Sequence, residues 1–147
     1  MMDKPVLTFS KKEHIVSRKT IDKLFSGGNR SMVVFPIRMV YMQAEMDDVP
    51  VEVMVSVSKR HFKRAVKRNR VKRQIREAYR KNKALLISEV EKCENKKFAL
   101  AFIYLADELM TSATIEESIR KLLARLSEKV ANSLHNEENR LFHFSFG

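Results

Sequence analysis

The chain has 147 residues, 44% apolar and 32% charged, which suits one domain around one ordinary core and leaves no room for two catalytic domains. No apolar run approaches the about 18 residues of a membrane span, the opening Met1-Met2-Asp3-Lys4-Pro5 lacks the apolar stretch of a secretory signal, and the single cysteine, Cys93, excludes an internal disulfide and any multi-cysteine metal site, which fits a reducing cytoplasm. Against 18 Asp and Glu stand 29 Lys and Arg, and the net charge of +11 asks for a polyanion, either nucleic acid or an anionic membrane.

Three Gly, three Pro and no internal repeat favour compact connections over linkers. Ser17 is placed to cap a short helix from Arg18 to Ser26, with Ile21, Leu24 and Phe25 on one side and Gly27-Gly28 ending it. Met32 to Met42 reads as a strand in which Pro36 marks an edge position or a bulge, and Asp47-Asp48-Val49-Pro50 supplies a turn. Val51 to Ser58 alternates, with Val51, Val53, Val55 and Val57 on one face and Glu52, Met54, Ser56 and Ser58 on the other, the period of a sheet strand. Phe98 to Leu105 is an apolar run of strand length. Thr114-Ile115-Glu116-Glu117 then reads as a capping box for a last helix with the stripe Ile115, Ile119, Leu122, Leu123, Leu126, Val130 and Leu134.

The charge is concentrated between the second and third of these strands. Lys59 to Lys83 holds thirteen basic residues and one acid, Glu77, and so carries +12; the other 122 residues keep 16 basic and 17 acidic residues and are close to neutral. On a helical wheel Val71, Ile75, Ala78, Tyr79 and Leu86 cluster on one side, while Asn69, Arg73, Arg76 and Arg80 line the opposite side, with Lys72 and Lys83 on one shoulder and Arg70 on the other. Such a helix packs its apolar side on the sheet and turns a ridge of guanidinium groups to solvent, where their planar forks match phosphate oxygens. A merely solvated face would interleave glutamates, because like charges three and four residues apart destabilise a helix by a few tenths of a kcal/mol, roughly, per pair. A membrane-surface role is disfavoured because the sheet needs the helix's apolar stripe.

Written out, Phe62-Lys63-Arg64-Ala65-Val66-Lys67-Arg68-Asn69-Arg70-Val71-Lys72-Arg73-Gln74-Ile75-Arg76-Glu77-Ala78-Tyr79-Arg80 closely resembles the RNR signature of the bacterial ribonuclease P protein family. Val55 to Arg60 is similar to the strand end and basic turn before that signature, Ile21 to Phe25 to the family's first helix, and Thr114 to Leu126 to its last. The resemblance runs from about His14 to Leu134 of a single domain, 1–147, and leaves 135–147 as a C-terminal extension that could be an added strand, a docked plug or a disordered end. It implies a two-layer α/β (α+β) sandwich in the order α-β-β-β-α-β-α. The RNR helix would lie in a left-handed βαβ crossover, against the usual hand, as in the related domain 2-like fold of a ribosomal protein and elongation factor G.

The function that the resemblance implies is that of the protein half of a ribonucleoprotein removing the 5′ leader from precursor transfer RNA. The catalytic RNA is the first partner and the leader the second. The catalyst is the RNA with its Mg2+ ions, so no catalytic residue, protein-held metal, membrane or disulfide-linked partner is expected. By position, Arg68, Asn69, Arg70, Lys72, Arg73 and Arg76 occupy RNA-contacting places, Lys59, Arg60 and Arg64 lead into them, and Arg80 extends them by a turn. Phe25 and Tyr41 match aromatic positions of a leader cleft between the first helix and the sheet, Ile21 stands where an aromatic is common, and Phe35, Arg38 and Val40 belong to the same surface. Each of these could equally be core.

Two other functions compete. A protein nuclease would need paired carboxylates or histidines for metal or acid–base work, yet Asp47-Asp48 sits in a turn, Glu77 among arginines, and His14, His61, His135 and His143 are scattered. A ribosomal or chaperone-type protein could use the same basic helix on other structured RNA, and composition does not separate the two; the RNR spacing does.

Overall fold

A computed structural model describes residues 9–146 apart from Val16, Gly28 and Met46, with backbone alone for 134–146. After a 3₁₀ turn at Lys11–Glu13 come α1 (Arg18–Phe25), β1 (Arg30–Val34), β2 (Ile37–Glu45), β3 (Val51–Ser56), α2 (Ala65–Asn82), α3 (Ala84–Glu91), β4 (Lys96–Tyr104) and α4 (Ser112–Phe146). The strands form one sheet in the order β1-β2-β4-β3. β1 with β2 and β2 with β4 are antiparallel, and β3 with β4 is parallel, so the chain crosses over through α2 and α3 between two adjacent strands.

Ser17 caps α1 as its sequence predicts, accepting from the Thr20 N–H at 3.4 Å. Gly27 leaves the helix with φ +86°, a conformation that glycine reaches without steric cost; Gly28 lies outside the described residues. Asn29 reaches back to cap the same end, its Nδ2 donating to the Leu24 carbonyl at 2.9 Å and to that of Lys23. The run Met32 to Met42 is two strands. Phe35-Pro36, joined by a cis peptide, reverses the chain so that Val34 pairs with Ile37 and Arg30 with Tyr41; Pro36, which has no N–H to give a ladder, sits in the turn and makes neither a bulge nor an edge.

Period-two alternation divides the sheet into unlike faces. One carries Ile37, Met39 and Tyr41 of β2, Leu100, Phe102 and Tyr104 of β4, and Val51 and Val53 of β3, buried against Val71, Ile75 and Tyr79 of α2, Leu86 and Val90 of α3, and the α4 stripe from Ile115 to Val130. Each such side chain taken fully from water contributes roughly 1.5–3 kcal/mol. On the other face Ile15 and Leu24 pack on Ala99 and Ala101, whose small side chains let α1 approach closely. Eight residues of helix span only about 12 Å, so α1 covers part of that face and leaves Val33 and Arg38 exposed.

Besides shifts of one or two residues at the ends of α1, β3 and β4, three boundaries differ from the sequence reading. The basic helix stops at Asn82 and α3 begins two residues later, so Leu86 enters the core from a second helix; the Asn82 amide donates to the Ala78 carbonyl at 2.8 Å, competing with the backbone for it. The last helix is capped by Thr111, whose Oγ1 accepts from the Thr114 N–H at 3.2 Å, which moves Thr114 inside the first turn. Thr111→Ala is therefore expected to cost about 1 kcal/mol, or about 3 °C in Tm, in a thermal melt. Finally, α4 continues as helix to Phe146, so the backbone of 135–146 is not an added strand; Gly147 and the side chains from Leu134 onward lie outside the described residues.

Candidate nucleic-acid interface

The approach to α2 is a tight basic turn. The Ser58 carbonyl accepts from the N–H groups of His61 (3.1 Å) and Phe62 (3.3 Å), and Ser58 Oγ from that of Arg60 (3.1 Å). Phe62 anchors the turn in the core beside Tyr104, and Lys59 and Arg60 are thereby exposed. His61 hydrogen-bonds Asp107, which ties the turn to the loop after β4. Arg68 latches it to the helix: one guanidinium nitrogen donates to the carbonyls of Phe62 (2.8 Å) and Lys63 (2.9 Å). Arg68, placed on the RNA-contacting face by sequence, thus also holds the local structure.

Along α2 the buried residues are Val71, Ile75, Ala78 and Tyr79, as the wheel predicts, and Asn69, Arg73 and Arg76 are exposed opposite them with Arg70 and Arg64 alongside. Among the described residues, no ion pair or side-chain hydrogen bond engages the heads of Arg64, Lys67, Arg70, Lys72, Arg73 or Arg76. Cations without partners around one helix raise the positive potential there. Arg80 differs, because its fork is taken by Glu77 at 3.0 and 2.6 Å, and this hydrogen bonding holds the Glu77 carboxyl below its ordinary range. Lys83 is not on the shoulder of the basic face. It is buried, with its ammonium 2.5 Å from a Glu13 oxygen, because the break after Asn82 brings it beneath the 3₁₀ turn.

The cleft residues divide. Ile21 and Val40 pack together around Leu24, Ala99 and Ala101, with Met42 and Met54 beside them, and Arg38 lies on the same sheet face two residues from Val40. Phe25 and Phe35 are 47% and 59% exposed, which favours a surface over a core role. Tyr41 is on the other face. It follows Val40 in one strand, and consecutive strand residues point to opposite sides; at 7% exposure it joins Met39 and Ile37 in the main core. There it borders a recess of about 600 Å³ rimmed by Lys23, Arg30 and Lys129.

The sequence reading missed Met54 as cleft floor, although the alternation of β3 already placed it on the second face. It missed Phe9 and His14 as well. Both lie against α2, Phe9 with its ring 5.2 Å from that of Tyr79, and His14 close enough to Arg76 that burial and this charge together pull its pKa below the ordinary value.

The family model described as Ribonuclease P matches residues 9–127. The chain belongs to the ribonuclease P protein family. It is 41% identical over 140 residues to the ribonuclease P protein component of Porphyromonas gingivalis strain W83, covering 93% of this chain and 100% of the relative. With that of Chlorobaculum tepidum it shares 32% identity over 118 residues, 74% and 76% of the two chains. The solved ribonuclease P proteins of Thermotoga maritima (TM-score 0.60, 22% identity, 77% of this chain and 96% of that one) and Staphylococcus aureus (0.58, 22%, 78% and 94%) share the fold. The family match takes in Phe9 and the 3₁₀ turn, so the segment packed on α2 belongs to the family's extent of chain.

No described helix is long and apolar enough to cross a membrane.

Proposed function

We propose that the chain acts as the protein subunit of ribonuclease P, binding the catalytic RNA through α2 and its preceding turn and assisting removal of the 5′ leader from precursor transfer RNA. The observation that carries this reading, in a member of this family, is the exposed side of α2 away from the core, where Asn69, Arg73 and Arg76 stand with Arg70 and Lys72 at its shoulders and, among the described residues, no ion pair engages these cationic heads. Phosphates are their natural ligands, and a row of phosphate contacts positions an RNA without reading its bases. The exposed part of the second sheet face, with Ile21, Phe25, Arg38 and Val40, suits an extended single strand of any sequence, since apolar and aromatic surfaces stack bases indiscriminately.

The chemistry is assigned to the RNA and its Mg2+ ions. Among the described residues no three of His, Cys, Asp and Glu converge, and the carboxylates beside the basic face are engaged, Glu77 by Arg80 and Asp107 by His61. Purified protein, a bacterial ribonuclease P RNA and precursor transfer RNA at low Mg2+ test the reading. Protein added to the RNA should accelerate leader removal, whereas protein alone should leave the precursor intact. Absence of stimulation refutes the assignment and leaves a structural RNA-binding role; cleavage by the protein alone makes it a nuclease.

A further inference from the structure

Residues 9–15, ahead of α1, are closed on themselves by one contact and fastened to the rest of the domain at two points. The Ser10 N–H donates to Glu13 Oε2 at 2.6 Å, closing the 3₁₀ turn on itself. The other Glu13 oxygen accepts from Lys83 at 2.5 Å in a pair whose side chains are only 11% and 5% exposed. His14 forms a parallel bridge to Val53, and the Ile15 N–H donates to the Val53 carbonyl at 3.0 Å. A buried ion pair seldom stabilises more than apolar side chains of the same size would. What this one supplies is position, since it fixes where Phe9, just upstream of Glu13, must lie.

Phe9 lies against α2, half-buried, with its ring near those of Tyr79 and His14. Together with Asn69, Arg73, Arg76, Glu77 and Arg80 it lines a recess of about 380 Å³, at the small end of the about 300–1,000 Å³ range of ligand pockets. One wall is an aromatic ring and the other is guanidinium, amide and a carboxylate already engaged by Arg80. A nucleotide combines a flat apolar base face with an anionic phosphate.

We propose that this recess receives one unstacked nucleotide of RNA, its base against Phe9, its phosphates on Arg73 and Arg76, and the Asn69 amide at the base edge. The proposal rests on α2 being an RNA-binding face and adds a contact fixed by shape to one fixed by charge. Duplex cannot enter, because its bases are stacked inside it. The nucleotide comes from a bulge, a loop or a single strand, in the catalytic RNA or in the precursor's leader.

The chain contains no tryptophan, so Phe9→Trp in the full-length protein installs a single fluorescent reporter in the recess. Its emission should be strongly quenched by a ribonuclease P RNA transcript or by precursor transfer RNA, and whichever quenches identifies the source. Phe9→Leu keeps an apolar side chain against Tyr79 but removes the ring; affinity for the quenching RNA should fall about tenfold, with the salt dependence unchanged because no phosphate contact is lost. Lack of quenching by either RNA, or wild-type affinity in Phe9→Leu, overturns the recess. In that case Arg73→Ala with Arg76→Ala would still flatten the salt dependence and leave the basic face standing, whereas a wild-type protein that binds neither RNA overturns both. Should Phe9→Leu melt far below the wild type, the tryptophan quenching decides alone.

Discussion

Raising salt from about 50 to about 200 mM is expected to weaken the complex with the catalytic RNA about a thousandfold. The size follows if about six of the free cationic heads on α2 and in the turn before it each neutralise one phosphate, for the affinity then falls with roughly the fifth power of the salt concentration. Arg73→Ala together with Arg76→Ala should reduce that exponent by about two. Both side chains are exposed and neither holds another part of the fold, so circular dichroism and Tm should stay near wild type. Arg80 and Arg68 are poorer choices, the first because Glu77 already occupies its fork and the second because it latches the turn at Phe62 and Lys63. An RNA titration across a salt series, read by anisotropy, measures both effects. An unchanged exponent in the double variant would place the RNA on another surface.

The basic face was legible because a helix maps sequence spacing onto direction by simple rotation, and Val71, Ile75, Ala78 and Tyr79 fall at one bearing whatever the tertiary structure does. That mapping fails once the helix breaks. Carrying the rotation through Asn82 puts Lys83 on the shoulder, and the structure instead buries it on Glu13, a residue seventy positions earlier that no local pattern connects to it. The strand hairpin failed for a similar reason: Pro36 signals an interruption without saying whether the chain bulges or reverses. Alternation within β2 does separate Val40 from Tyr41, so placing both in one cleft conflicted with a rule that needs only the sequence. Phe9 carried no signal of this kind, because its role depends on the distant ion pair that holds its segment.

That pair gives the largest expected stability effect. Lys83→Met leaves the Glu13 carboxylate buried without its cation, a loss of about 3 kcal/mol, or about 10 °C in Tm, measured by a thermal melt. Adding Glu13→Leu should restore most of it, since apolar side chains of similar volume serve a buried site about as well as the ions do once neither charge is left alone. Stability and position then separate. The doubly substituted protein keeps its melting temperature but no longer fixes the register of residues 9–13 on α2, so its affinity for RNA should drop toward that of Phe9→Leu. Wild-type affinity in that stable double variant would mean that apolar packing at Glu13 and Lys83 is enough to set Phe9 in place, and that the ion pair serves only to keep two buried charges neutral.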